Sequence, residues 1–220
     1  MNATLAIDCA FPQALLALRV GDSLAMRSFG PQRSHALRLL GELELLLTEL
    51  GVSAKDLGRI GVGQGPGSFT GLRVALATAS GLAEATGASL VGFATFDALP
   101  IASAPTLYAF DARQGMVYCG LRQGEEWLEP ALPRSVDEAR ALLKPRAQNF
   151  FGTASERYPE LAQDMDLLSL PPHADAQRAL DLTELACHDK PVLPTYKEGA
   201  QAQRLFGTPV LGRPLDGDEI

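Results

Sequence analysis

The chain has 220 residues, 46% of them hydrophobic and 20% charged, and a formal net charge of −7. A chain of this length buries about 70% of its unfolded surface, which makes room for one large or two small domains without metal or disulfide staples and excludes wholesale disorder. The negative balance excludes a broad nucleic-acid-binding face, because such faces neutralise phosphates with Lys and Arg.

In chain order, residues 4–8, 14–19 and 24–29 read as three strands, divided by turn signals at Phe11-Pro12 and Gly21-Asp22. Ser34 is placed to cap a helix over about 35–50, with Ala36, Leu39, Leu40, Leu43, Leu46, Leu47 and Leu50 on one face and Gly51 at its stop. Leu37 and Leu45 widen that stripe beyond what one sheet face requires. Residues 59–63 form a short strand, a glycine-rich loop leads into a helix over 69–86, and 90–93 is another strand, which makes a β-α-β unit with a parallel pair. From Phe69 to Gly87 only Arg73 and Glu84 are charged, the mark of a helix covered on most sides. Gly71, Ala75, Ala79 and Ala83 form a small-residue ridge on it that would let a second helix approach closely.

The second half repeats the opening. Tyr108-Ala-Phe-Asp111 matches Leu5-Ala-Ile-Asp8, and each Asp is followed eleven positions later by an arginine, Arg19 or Arg122. Further on, 135–143 reads as helix, 149–151 as strand and 176–188 as a last helix, with breaks at Pro171-Pro172, Pro191 and Pro194. From Gly207 onward a loosely ordered tail is expected. No basic leader opens the sequence and no stretch nears eighteen apolar residues, so a cytoplasmic protein without membrane span is expected. Cys9, Cys119 and Cys187, odd in number and without a CxxC pair, read as reduced thiols used as small buried hydrophobes.

The chemistry-bearing candidates each carry a plainer alternative. Gly65, Gly67 and Gly71, with Ser68 and Thr70 opening the helix, permit exposed amides that could hold an anion, yet Leu72 and Arg73 stand where a phosphate-binding loop has its lysine. The loop therefore reads equally as an anion site and as a strand-to-helix connector. Asp8 and Asp111 end apolar strands, where a carboxylate holds Mg²⁺ through water or simply caps a turn. His35, His173 and His188 show no metal-ligand spacing, and no GxSxG elbow is present.

Four segments, Leu5-Ala-Ile-Asp8, Arg33-Ser-His35, the run from Gly63 to Arg73 and the run from Asp111 to Tyr118, together closely resemble the TsaB (YeaZ) family over roughly residues 4–122. The resemblance implies an α/β fold of the actin and hexokinase-like superfamily, a duplicated β-β-β-α-β-α unit in two lobes, here 1–102 and 103–220. It also implies a non-catalytic subunit of the bacterial tRNA threonylcarbamoyladenosine machinery, paired with a TsaD homologue or with itself and supporting the ATPase TsaE, with tRNA contacted only indirectly and no membrane. The two N-terminal helices would then bundle with the partner through Leu39, Leu43, Leu46, Leu50, Leu72, Ala75, Leu76, Ala79 and Ala83. Asp8, Gly65, Gly67, Ser68, Thr70, Arg73, Asp111 and Arg113 would form a structural loop or a weak nucleotide or Mg²⁺ site, with no catalytic residue, no metal ligand and no tightly bound cofactor. Where the family commonly carries a Pro-x-Tyr-Leu-Arg-like segment, this chain has Pro194-Thr-Tyr-Lys197. The rival readings are a glycoprotease-like peptidase or small-molecule kinase, and a homodimeric nucleotide sensor.

Overall fold

Strand β1 (Ala3–Asp8) is buried at every position, which places it at the centre of a sheet covered on both faces. The computed structural model, which describes residues 3–30, 35–168, 172–186 and 192–193, sets it between two kinds of neighbour. β2 (Ala14–Val20) returns antiparallel beside it and β3 (Ser23–Phe29) beside β2, each reversal being short. β4 (Leu57–Gly63) and β5 (Ser89–Phe93) run parallel to it, because helices α1 (His35–Glu49) and α2 (Phe69–Thr86) supply the crossovers. The order is β3-β2-β1-β4-β5. Leu5, Ile7, Cys9, Leu16 and Leu18 on one face of this sheet pack against Leu39, Leu43 and Leu46 of α1 and Ala75 and Ala79 of α2.

The second sheet repeats the plan. Strands β6 (Thr106–Arg113), β7 (Met116–Gln123) and β8 (Glu126–Ser135) form the meander, and β9 (Asn149–Phe151) and β10 (Asp166–Leu167) add in parallel on the other side of β6. Read outward from β6, the order mirrors that of the first sheet, so the chain is an internal duplication. Between β8 and β9, α3 (Val136–Leu142) covers Leu107, Ala109, Val117 and Cys119.

Two expectations need correction. The lobes do not divide at residue 102, because helix α4 (Pro172–Leu185) crosses back onto the first sheet. There Ala176, Ala179 and Leu180 bury Ala6, Ala17, Phe93 and Ala98, the face that α1 and α2 leave open. Arg19 of β2 donates to Asp181 and Glu184 of α4, each at 2.7 Å. The duplication, moreover, slips by one residue at its acids. Thr4 lies opposite Arg19 and Thr106 opposite Arg122, so the arginines are equivalent. Counting along from these pairs, Asp8 faces Leu15 and its counterpart Phe110 faces Tyr118, which leaves Asp111 one place further on. Because side chains alternate, Asp8 and Asp111 lie on opposite faces of their sheets. Ser34, Cys187, His188, Pro191, Pro194-Thr-Tyr-Lys197 and the tail lie outside the described residues, as do the side chains of Pro172 and His173.

Candidate functional site

The glycine loop is a joint. Gly65 has φ +96, a conformation open to glycine, and its amide donates to Thr95 Oγ1 at 3.1 Å while its carbonyl accepts from the Thr95 amide at 3.0 Å. The Ser68 amide is spent on the Ala10 carbonyl at 2.7 Å, and the Ser68 hydroxyl caps α2 by accepting from the Gly71 amide. A β-carbon at Gly67 or Gly71 would strike the backbone of Ala10 or Cys9. The glycines let the backbone just after β1 pack directly on the loop, and with the Ser68 amide already spent the loop serves as a strand-to-helix connector. Thr70 and Arg73 point outward, with the Arg73 guanidinium 3.9 Å from the centre of the Phe69 ring.

The small-residue ridge serves the same contact. Leu72, Ala75 and Ala79 are buried with Gly71 against the chain's own sheet, as are Leu39, Leu43 and Leu46 on α1. Leu50, Leu76 and Ala83 are half-buried at the edge of that core. Leu39, Leu43, Leu46, Leu72, Ala75 and Ala79 are therefore corrected as a partner surface, since the sheet has already used them, whereas Leu50, Leu76 and Ala83 keep part of their surface. Other leucines of α1 are exposed: Leu37 is 81% exposed, Leu40 59% and Leu45 57%. Leu37 and Leu45 lie on the side away from Leu39, Leu43 and Leu46, Leu40 borders the buried stripe one turn from Leu43, and Phe69, 43% exposed, opens the adjoining helix. The excess width of the leucine stripe was readable in the sequence; which half of it the sheet would take was not.

Asp111 does not join Asp8. Its carboxylate accepts from the Arg113 amide at 2.7 Å and pairs with Arg157 at 3.3 Å, and Arg113 is exposed with φ 66, so this pair closes a turn. Asp8 instead enters the cleft between the sheets, where its Oδ1 accepts the Ala10 amide at 2.8 Å. Asp175 in the first turn of α4 enters the same cleft, a residue the sequence did not mark because an acid opening a helix is ordinary. Burial pushes the Asp8 carboxyl up to about 6 against the pull of its hydrogen bonds, and burial together with the Asp8 charge pushes Asp175 up to about 7. The adjacent Cys9 thiol is raised to about 12 by burial and by Asp8, which leaves it unreactive. His35 touches the Pro12 carbonyl at 3.2 Å, a surface contact. Among the described residues no three His, Cys, Asp or Glu side chains are grouped to hold a metal ion, and no helix is long and apolar enough to cross a membrane.

Two mixed five-stranded sheets of mirrored order facing one cleft define an actin-like, duplicated α/β protein. A family model described as TsaD, tRNA N6-adenosine threonylcarbamoyltransferase, matches residues 30–186. The tRNA threonylcarbamoyladenosine biosynthesis protein TsaB of Escherichia coli (strain K12) is 29% identical over 169 residues, 70% of this chain and 73% of its own length. TsaB of Bacillus subtilis (strain 168) is 30% identical over 99 residues, 42% of each chain. Among solved structures, YeaZ from Pseudomonas aeruginosa superposes with a TM-score of 0.69 at 26% identity, over 90% of this chain and 100% of its own. The chain belongs to the TsaB (YeaZ) family, related to the threonylcarbamoyltransferases that the model describes.

Proposed function

We propose that this chain is a non-catalytic accessory subunit in the formation of threonylcarbamoyladenosine on tRNA, pairing with a TsaD homologue and supporting the ATPase TsaE. The names of its relatives support the pathway, and the observation that carries the pairing is the row of exposed leucines, Leu37, Leu40 and Leu45, on a helix whose other side is already packed. Leucines in water are costly at roughly 25 cal/mol per Å² of apolar area, and a shared face is the ordinary remedy. An interface of about 1,600 Å² in total suits two helices from each partner. The same face admits a second copy of this chain, so a homodimer is the resting form when TsaD is absent. In this reading no cofactor is tightly bound, nucleotide or Mg²⁺ is engaged at most weakly, tRNA is reached through TsaD, and the subunit works in the cytoplasm. A peptidase or kinase would need a nucleophile, a base or a metal, and the glycine loop is packed against the backbone of Cys9 and Ala10.

The test is reconstitution of tRNA modification from purified TsaD, TsaE and this chain with threonylcarbamoyl-adenylate. Wild-type protein is expected to raise the TsaD rate, whereas Leu37→Glu with Leu40→Glu weakens pairing by about 2–4 kcal/mol, or 30-fold to 1,000-fold in Kd, by placing two charges in a dry contact. Both side chains are exposed, so the variant keeps its fold. TsaD turnover that is the same with and without this chain would reject the role, and undiminished binding by the double variant would reject the face.

A further inference from the structure

The cleft between the sheets is separate from the bare side of α1 and has its own chemistry. It encloses about 380 Å³, in the range of small-molecule sites, and its wall is mostly apolar: Phe11, Leu15, Leu99, Phe110 and Phe151 among others. Phe11 and Phe110 stack with ring centres 3.7 Å apart, 9° from parallel. Phe110 stands at the position equivalent to Asp8, so the duplicated strand offers an aromatic face where the first offers a carboxylate. Among the described residues, Asp8 and Asp175 are the acids that line the cavity, and no lysine or arginine lines it. Asp175 Oδ1 is shielded from solvent and accepts no hydrogen bond among the described residues.

A buried carboxylate oxygen without a donor is costly, and Asp175 Oδ1, beside the hydrogen-bonded Asp8 carboxylate, sets the charge of an occupant. Phosphate would be repelled by both and would find no cation to hold it. A hydrated divalent ion would use the carboxylates and the polar Gln13, Ser28, Thr95 and Thr153 but would leave the aromatic wall without a partner. An alkylammonium group meets the whole of the demand. It brings three N–H donors and a positive charge, aromatic faces attract it further, and its carbon skeleton replaces water against the phenylalanines. We propose that the interlobe cleft binds a small primary ammonium ion with an apolar body, its –NH₃⁺ held by Asp8 and Asp175 and its carbon skeleton laid against Phe11, Phe110 and Phe151.

The test is calorimetric titration of the full chain at pH 7.5 with phenethylammonium, with uncharged 2-phenylethanol as its neutral counterpart and with Mg²⁺-ATP. Phenethylammonium is expected to saturate a single site with a millimolar Kd, phenylethanol to bind at least tenfold more weakly, and Mg²⁺-ATP to give no heat. Asp175→Asn, which keeps the shape and removes the charge, is expected to weaken phenethylammonium at least tenfold while near-ultraviolet circular dichroism stays unchanged. Equal binding of the alcohol and the amine by the wild-type protein, binding of Mg²⁺-ATP, no binding of the amine, or an Asp175→Asn variant that binds it as well as wild type would each overturn the proposal. The alcohol comparison uses no variant, so it decides the matter even if Asp175→Asn is poorly folded, and none of these outcomes bears on pairing with TsaD.

Discussion

Gly71 lies where α2 is laid across the end of β1, and a β-carbon there would collide with the Cys9 carbonyl oxygen, a backbone atom that cannot swing aside. Gly81 sits in the same helix, exposed, with nothing within 4 Å of an added β-carbon. The two glycines therefore make a matched pair. Gly71→Ala must push α2 off its sheet and is expected to cost about 3 kcal/mol, as overpacked positions do. Gly81→Ala should stabilise by up to about 1 kcal/mol, the helix-propensity difference. Urea titrations of both variants read the two signs directly. A destabilised Gly81→Ala, or a neutral Gly71→Ala, would mean that α2 does not rest on β1 as described. The spacing of Gly71 with Ala75 and Ala79 was legible in the sequence as a close approach. What approaches could not be read there, because a sheet and a foreign helix ask for the same small side chains.

At the scale of elements, periodicity served well where one face decides the outcome. The helix over 69–86 and the strand over 149–151 stand at their expected bounds, and α1 runs one residue short of them. It failed where two faces compete. In α1 the leucines at 39, 43 and 46 and those at 37, 40 and 45 are chemically alike, and only the placement of the sheet separates buried from bare. The acids failed for a related reason: a pattern counted along one strand cannot see a one-place shift between partners, and that shift turns Asp111 away from the cleft. Most of all, nothing local in α4 announced that a helix from the second half would close the first sheet. Its apolar residues Ala176, Ala179 and Leu180 are small and few, and they succeed because Ala6 and Ala17 beneath them are small too. A chain ending after residue 168 is accordingly expected to lose the first sheet as well as the helix, since Phe93, Ala98 and the β1–β2 face would be exposed together. Thermal melting followed by circular dichroism should show no cooperative transition for the truncated chain, and limited proteolysis should cut within residues 3–30. A cooperative melt near that of the full chain would show that α4 is an appendage.

At the scale of the whole molecule, the two sheets are tied to each other by side chains that cross between them. The Trp127 indole N–H donates to Asp97 at 2.7 Å, and Arg178 of α4 grips Glu125 at 3.0 and 2.7 Å, so β8, its preceding turn, α4 and the turn after β5 form one latch. One turn of α4 before Arg178 lies Asp175, which lines the cleft with Asp8, and both acids are held above the usual carboxylate range by burial. Their effect on stability has a definite sign. The folded state binds these protons more tightly than the unfolded chain, whose aspartates titrate near 3.9, so the stabilisation is complete below that value and is lost as pH rises through about 6 and about 7. Between pH 5 and pH 8 the loss should be on the order of 4 kcal/mol, in the same direction as the self-repulsion that a net charge of −7 adds over that range. The two contributions separate by substitution. Asp175→Asn changes the net charge by one and leaves the general repulsion nearly intact, but it removes a group forced to ionise without a hydrogen bond at Oδ1. Urea midpoints measured from pH 5 to pH 8 should fall steeply for wild type and clearly less for Asp175→Asn, with the two proteins diverging most at pH 8, where the variant is the more stable. Parallel pH profiles would place Asp175 in water and remove the acidic floor of the cleft, and a wild-type profile that rises toward pH 8 would contradict the burial of both acids.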